Sequence, residues 1–183
     1  MAAEEDEAEL ERIAREIAAE EDSILVPIEL IREFDRPPGT GTPPASLVVQ
    51  IQGMTIAQRL KLALRGNKDA RQLLVRDPNR LIRRFVLDNP RMTDGEVVAI
   101  ARSRTADEEL LRTIAERREW MKNYQVRLAL TTNPKTPLPI AMRQVATLGE
   151  RDLRQLAKSR NVPQAVATAA RRLLLEKRDR HST

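Results

Sequence analysis

From Thr55 to Leu174 apolar side chains recur at spacings of three and four. Ile56, Leu60, Ala63 and Leu64 fall on one face, then Val97, Ile100 and Ala101, then Leu110, Leu111 and Ile114, then Ile140, Ala141 and Val145, and last Val166, Ala167, Ala170, Leu173 and Leu174. On a 3.6-residue turn each set makes one stripe, so the pattern predicts a series of helices with a single face to bury. Before them, Leu10, Ile13, Ala14, Ile17 and Ala18 draw a narrow stripe along a charged helix expected over Glu4–Glu21. A stripe so thin does not stabilise an isolated helix in water; it docks on the body or a partner, or frays. Ile24 to Ile31 is a compact apolar patch with Pro27 inside it, a short docking element with a helix starting near the proline. The Pro/Gly stretch Arg36–Pro44 then reads as a linker.

Polar residues punctuate the series. Thr55 with Gln58, Thr93 with Glu96 and Thr105 with Glu108 fit the capping box and predict three helix starts. Thr136 before Pro137 and Asn161 before Val162-Pro163 predict two more. Gly66 and Gly149 are expected to stop helices through a left-handed conformation.

One phrase occurs twice. Ile82-Arg83-Arg84-Phe85-Val86-Leu87-Asp88-Asn89-Pro90 returns 44 residues later as Val126-Arg127-Leu128-Ala129-Leu130-Thr131-Thr132-Asn133-Pro134, and a weaker copy ends at Asp77-Pro78. A second echo, Ala101-Arg102-Ser103-Arg104-Thr105 against Ala157-Lys158-Ser159-Arg160-Asn161, has a different offset of 56. Self-similarity of this kind marks stacked helical repeats, in which each unit buries its face against its neighbours. The expected fold is all-α: about nine short helices in a right-handed α-solenoid, preceded by a flexible acidic arm. The expected organisation is an acidic amphipathic helix or disordered arm over 1–22, a short docking element and Pro/Gly linker over 23–54, a helical-repeat domain over 55–178 and a tail over 179–183. Asn-Pro suits a helix-to-helix corner, because asparagine accepts turn geometry and proline cannot continue a helix.

The short helix with a basic residue near its start, ending in Asn89-Pro90-Arg91-Met92-Thr93 or Asn133-Pro134-Lys135-Thr136-Pro137, resembles the leucine-rich-repeat variant and the broader HEAT-like repeats over roughly residues 55–176. The segment Lys122–Arg127 through Leu138-Pro139 also looks like uncharacterised bacterial helical-repeat proteins. The resemblance implies a fold and a binding surface. The iron–sulfur cluster of a variant-repeat relative does not transfer, since the chain has no cysteine.

Charge changes this picture in one respect. The net charge of +5 conceals 4 Lys+Arg against 13 Asp+Glu in residues 1–50, and 28 against 14 in residues 51–183. An acidic arm on a basic body points to polyanion binding, to an arm that screens the body, or simply to solvated helix faces. With no run of about 18 apolar residues and an acidic start, the chain is expected to be cytoplasmic and to have no membrane partner.

Catalytic chemistry finds little purchase. The single histidine, His181, stands near the chain end, and Gly39-Thr40-Gly41-Thr42 lacks the lysine of a phosphate loop. Acids such as Asp94, Glu96, Glu108 and Glu109 fall in first helical turns, where they suit the helix dipole. Some HEAT-like solenoids are DNA glycosylases, but the body offers only Phe85, Trp120 and Tyr124 as aromatics, too few for a base-flipping cleft. No enzyme, cofactor, metal or small-molecule substrate is expected. The candidate partner-binding residues are Arg117, Arg118, Trp120, Lys122 and Tyr124, which join two repeats, together with Arg83, Arg84, Arg127 and Lys135, which could align along one edge. Trp120 and Tyr124 serve either as interface anchors or as plugs between helices. Two functions follow from these residues: a non-enzymatic adaptor binding a protein partner, and a nucleic-acid-binding solenoid regulated by its acidic arm.

Overall fold

A computed structural model describes residues 2–33 and 45–181, with side chains over 7–33 and 45–178. The proposed linker, including Gly39–Thr42, falls outside the described residues, as does the side chain of His181. Every regular element among the described residues is helical: α1 (Ala2–Ala18), a 3-10 turn (Ile28–Leu30), α2 (Ala45–Gln52), α3 (Ile56–Arg65), α4 (Lys68–Leu74), α5 (Arg80–Leu87), α6 (Asp94–Arg102), α7 (Glu108–Glu116), α8 (Arg118–Lys122), α9 (Tyr124–Thr132), α10 (Leu138–Val145), α11 (Glu150–Lys158) and α12 (Gln164–His181). No described helix is long and apolar enough to cross a membrane. The chain divides into two compact units, Met1–Met92 and Thr93–Thr183.

In the first unit α3 packs against α1, α4 and α5. Leu60, Leu62, Ala63, Leu74, Ile82 and Val86 form the core, and Ala14 and Ile17 of α1 belong to it. This corrects the expectation of a flexible acidic arm. The narrow stripe is wide enough because α3 supplies the other side, and full burial of an aliphatic side chain such as Ile17, 1% exposed, contributes roughly 1.5–3 kcal/mol. The C-terminus of α1 is then fixed by polar contacts. Glu20 takes a left-handed φ of 62°, the Glu21 N–H returns to the Glu16 carbonyl, and Arg65 donates to the carbonyls of Ile17 and Ala18 at 3.0 Å each.

In the second unit α6 packs on α9, α9 on α10, and α10 and α11 on α12. Ala141, Val145, Leu148, Leu153, Leu156, Val166 and Ala170 form a core cluster there.

The helix starts at Thr55 and Thr93 carry both halves of the capping box. The start expected at Thr105 lies two residues later: Asp107 caps α7, accepting the Leu110 N–H at 2.9 Å, because its carboxylate is the stronger acceptor and the Thr105 hydroxyl is already shared with Ser103. Gly149 begins α11 rather than stopping a helix, and neither it nor Gly66 is left-handed. What Gly66 supplies is space. A Cβ there would meet the Leu62 carbonyl oxygen at 2.2 Å.

The repeated phrase has a shared geometry in the two units. Asn79 and Asn123 cap the starts of α5 and α9 through the N–H groups of Leu81 and Gln125. Ten residues on, Asn89 donates through Nδ2 to the carbonyls of Ala63 (2.9 Å) and Gly66 (3.2 Å) at the end of α3, and Asn133 does so to Ala101 (2.8 Å) and Ser103 (2.9 Å) at the end of α6. Each Oδ1 accepts the N–H two residues ahead, Arg91 or Lys135. A carboxamide thus supplies two donors to helix-end carbonyls that have no intrahelical partner and one acceptor to its own turn. Asn67 likewise donates through Nδ2 to the carbonyls of Glu29 and Arg32, within and just beyond the 3-10 turn, while its Oδ1 accepts the Ala70 N–H three residues ahead and caps α4. Asp77 of the weaker copy, having no amide donors, instead accepts from Arg59 and from the Asn79 N–H. The second echo is also structural, since Ser103 and Ser159 both close helices and both hold the N–H two residues on.

Replacing Asn89 or Asn133 by Ala should lower stability by about 1–3 kcal/mol, whereas exposed Asn161→Ala should change it by about 0.5 kcal/mol or less, read by chemical denaturation. Gly66→Ala should also destabilise, because backbone must move to admit the methyl group. Acidification supplies a second expectation. Burial pushes the Asp22 carboxyl upward, but the Lys61 ammonium and the Ile24 N–H outweigh it and hold it below its usual value. Its stabilising contribution is therefore present above the ordinary carboxylate range and lost as pH falls through the lowered value. Asp22→Asn should flatten the acid limb of a stability–pH profile.

Candidate protein-interaction groove

Most candidate residues are held by the scaffold. Arg83 donates to the carbonyls of Asp77 (2.7 Å) and Pro78 (3.0 Å), and Arg127 to those of Met121 (2.8 Å) and Lys122 (3.1 Å). Both are the fourth residue after the capping asparagine, so each guanidinium reaches back over the turn that precedes its helix. The basic flank of the repeat thereby becomes part of the corner. Arg84 pairs with Glu11 at 3.0 Å and lies over the Phe85 ring at 5.4 Å. Lys122 pairs with Glu119 at 2.7 Å.

The aromatic pair is divided in role. The Tyr124 hydroxyl donates to Asp152 and accepts the Gly149 N–H at 3.0 Å, tying the start of α9 to the start of α11. The Asp152 carboxylate, together with burial, raises the Tyr124 pKa, as expected for a phenol whose proton is held by an anion. Arg127 covers the same ring at 5.6 Å. Half-buried Trp120 carries the Arg117 guanidinium 4.5 Å from its ring centroid. Lys135 gives its backbone N–H to the Asn133 turn and exposes its side chain.

An open concavity lies in the second unit, between α7–α8 and the start of α10, with a volume of about 650 Å³. Its apolar floor comes from Ala115 and from Pro137, Leu138, Pro139 and Ile140, and its rim carries Arg112, Arg118, Arg143, Glu108 and Glu116. Pro137 caps α10 and Pro139 occupies its first turn, which leaves Leu138, 43% exposed, beside a fixed backbone rather than folded inward. Arg112 is engaged by Glu108 at 2.6 Å. Of the candidates from sequence only Arg118 lines this groove. Arg112, Arg143, Leu138 and Ile140 were missed; the signal for Leu138 was an aliphatic residue held between two prolines at a helix start.

Arg127→Ala should cost about 0.5–1.5 kcal/mol of stability, because two corner carbonyls lose a donor, while exposed Arg118→Ala should leave stability unchanged within about 0.5 kcal/mol. Tyr124→Phe should destabilise the second unit by about 1 kcal/mol in thermal or chemical melts. No protein-family model, curated protein or solved structure matches the chain.

Proposed function

We propose that this chain is a non-enzymatic helical-repeat adaptor of the leucine-rich-repeat-variant or HEAT-like solenoid kind, working in the cytoplasm and binding a protein partner. The observation that supports this reading is the groove beside α7 and α10, an apolar floor open to solvent and rimmed by charged side chains. The repeat arginines argue against a purely electrostatic function. Arg83 and Arg127 each place Nη1 on two main-chain carbonyls, so part of each guanidinium is committed to the fold.

A second reading, nucleic-acid binding regulated by the acidic segment, is favoured by one specific feature of the first unit. Glu7, Glu11, Glu20 and Asp22 lie on Arg80, Arg84, Arg65 and Lys61 respectively, so the acidic segment covers basic residues of its own unit. The three pairs on Glu7, Glu11 and Glu20 are exposed or half-exposed and worth about 0–1 kcal/mol each, weak enough to be exchanged for a polyanion, whereas the Asp22 carboxylate is buried. Deleting α1 would not test this cleanly, because Ile17 is core. The triple variant Glu7→Gln, Glu11→Gln, Glu20→Gln removes charge and keeps the helix.

The two readings separate in a fluorescence anisotropy titration of the full chain against duplex DNA and single-stranded RNA at low and physiological salt. The adaptor reading expects negligible retention at physiological salt and no gain in the triple variant. Tight binding that falls steeply with salt and strengthens in the triple variant would overturn it in favour of the nucleic-acid reading.

A further inference from the structure

The occupant of the groove can be read from its chemistry. The floor presents exposed Leu138 next to Ile140, 8% exposed, with Ala115 opposite. On the rim, Glu108 neutralises Arg112, while Arg118 and Arg143 are exposed and have no carboxylate within ion-pair distance among the described residues. Two unpaired guanidiniums therefore flank an apolar surface. Arg guanidiniums bind carboxylates well, through paired N–H donors.

We propose that this groove takes a short segment of a partner protein in which a large apolar side chain, seated against Leu138 and Ile140, is flanked by carboxylates that meet Arg118 and Arg143. The proposal rests on the adaptor reading and gives that partner a chemistry. Glu116 on the same rim decides against a phosphate chain, since its carboxylate would repel a continuous anion but tolerates discrete acids placed opposite the two arginines. The volume, about 650 Å³, lies inside the roughly 300–1,000 Å³ of ligand pockets. Yet Arg112, Glu116, Arg118 and Arg143 are all exposed, so the site is a shallow trough. A small molecule there would keep much of its surface in water, whereas a peptide gains contacts along its length on both sides of the anchor. Apolar anchors with a charged rim follow the usual division of labour, the first supplying affinity and the second register.

A displayed library of random dodecapeptides panned on the full chain tests this, followed by anisotropy with the enriched peptides after fluorescent labelling. The expected enrichment is for Leu, Ile or Phe adjacent to Asp or Glu. The expected loss of affinity is at least about tenfold in Arg118→Glu with Arg143→Glu, and similar in Leu138→Asn, with circular dichroism checking that each variant is folded; tenfold corresponds to about 1.4 kcal/mol. Enriched peptides that bind the double reversal as well as the parent, that are predominantly basic, or that fail to appear at all would overturn the groove assignment. Failure of the groove is distinguishable from failure of the adaptor reading. Peptides that bind both variants equally sink the groove and leave an adaptor with another surface, whereas absence of peptide binding alongside salt-sensitive DNA retention sinks both.

Discussion

A helix leaves its last carbonyls without partners, and a protein built of many short helices must find donors for all of them. Here the helices run from five residues in α8 to eighteen in α12, so few could stand alone. Side chains from elsewhere in the same unit supply the donors. Arg65 closes α1, Asn67 the 3-10 turn, Asn89 α3 and Asn133 α6. Each contact also fixes one helix end against another element. The hydrophobic core gives most of the free energy, and these polar contacts give the corners their geometry. Gly66 shows both demands at one residue: its carbonyl receives Asn89 and Arg71, and its missing side chain lets the turn close on Leu62.

That constraint explains why part of the chain's positive charge is held by the scaffold. An arginine whose Nη1 ends on two carbonyls keeps its positive charge but has that nitrogen held by the corner. Others are balanced within their own unit, among them Arg71 by Glu33 and Arg59 by Asp77. Once those are set aside, the groove stands out because its apolar floor and its unpaired arginines occur together.

The all-helical class was legible from the apolar spacing alone, and the capping boxes at Thr55 and Thr93 located two helix starts to the residue. The role of the repeated asparagine was only half legible. A turn-former before proline is evident in a sequence, but its Nδ2 bonds reach back 26 residues from Asn89 to Ala63, and 32 from Asn133 to Ala101. Long-range partners of this sort leave no local pattern. Asn67 shows the same limit, since no proline follows it and nothing marked it as a third member. The docking of α1 is one of two alternatives in the sequence for a related reason: a narrow stripe signals either a frayed helix or one with a partner, and α3 lies far along the chain. Arg143 and Arg112 looked like ordinary solvated residues because only folding sets them around Leu138.

The claim that the Asn-Pro phrase is a clamp on helix ends is tested most directly by hydrogen exchange at side-chain amides, followed by NMR on the uniformly ¹⁵N-labelled full chain. The account predicts that the Nδ2 protons of Asn67, Asn89 and Asn133 exchange far more slowly than those of exposed Asn161, because opening the clamp requires opening the corner. Exchange at Asn89 and Asn133 as fast as at Asn161 would contradict it, and would return the repeated phrase to the surface.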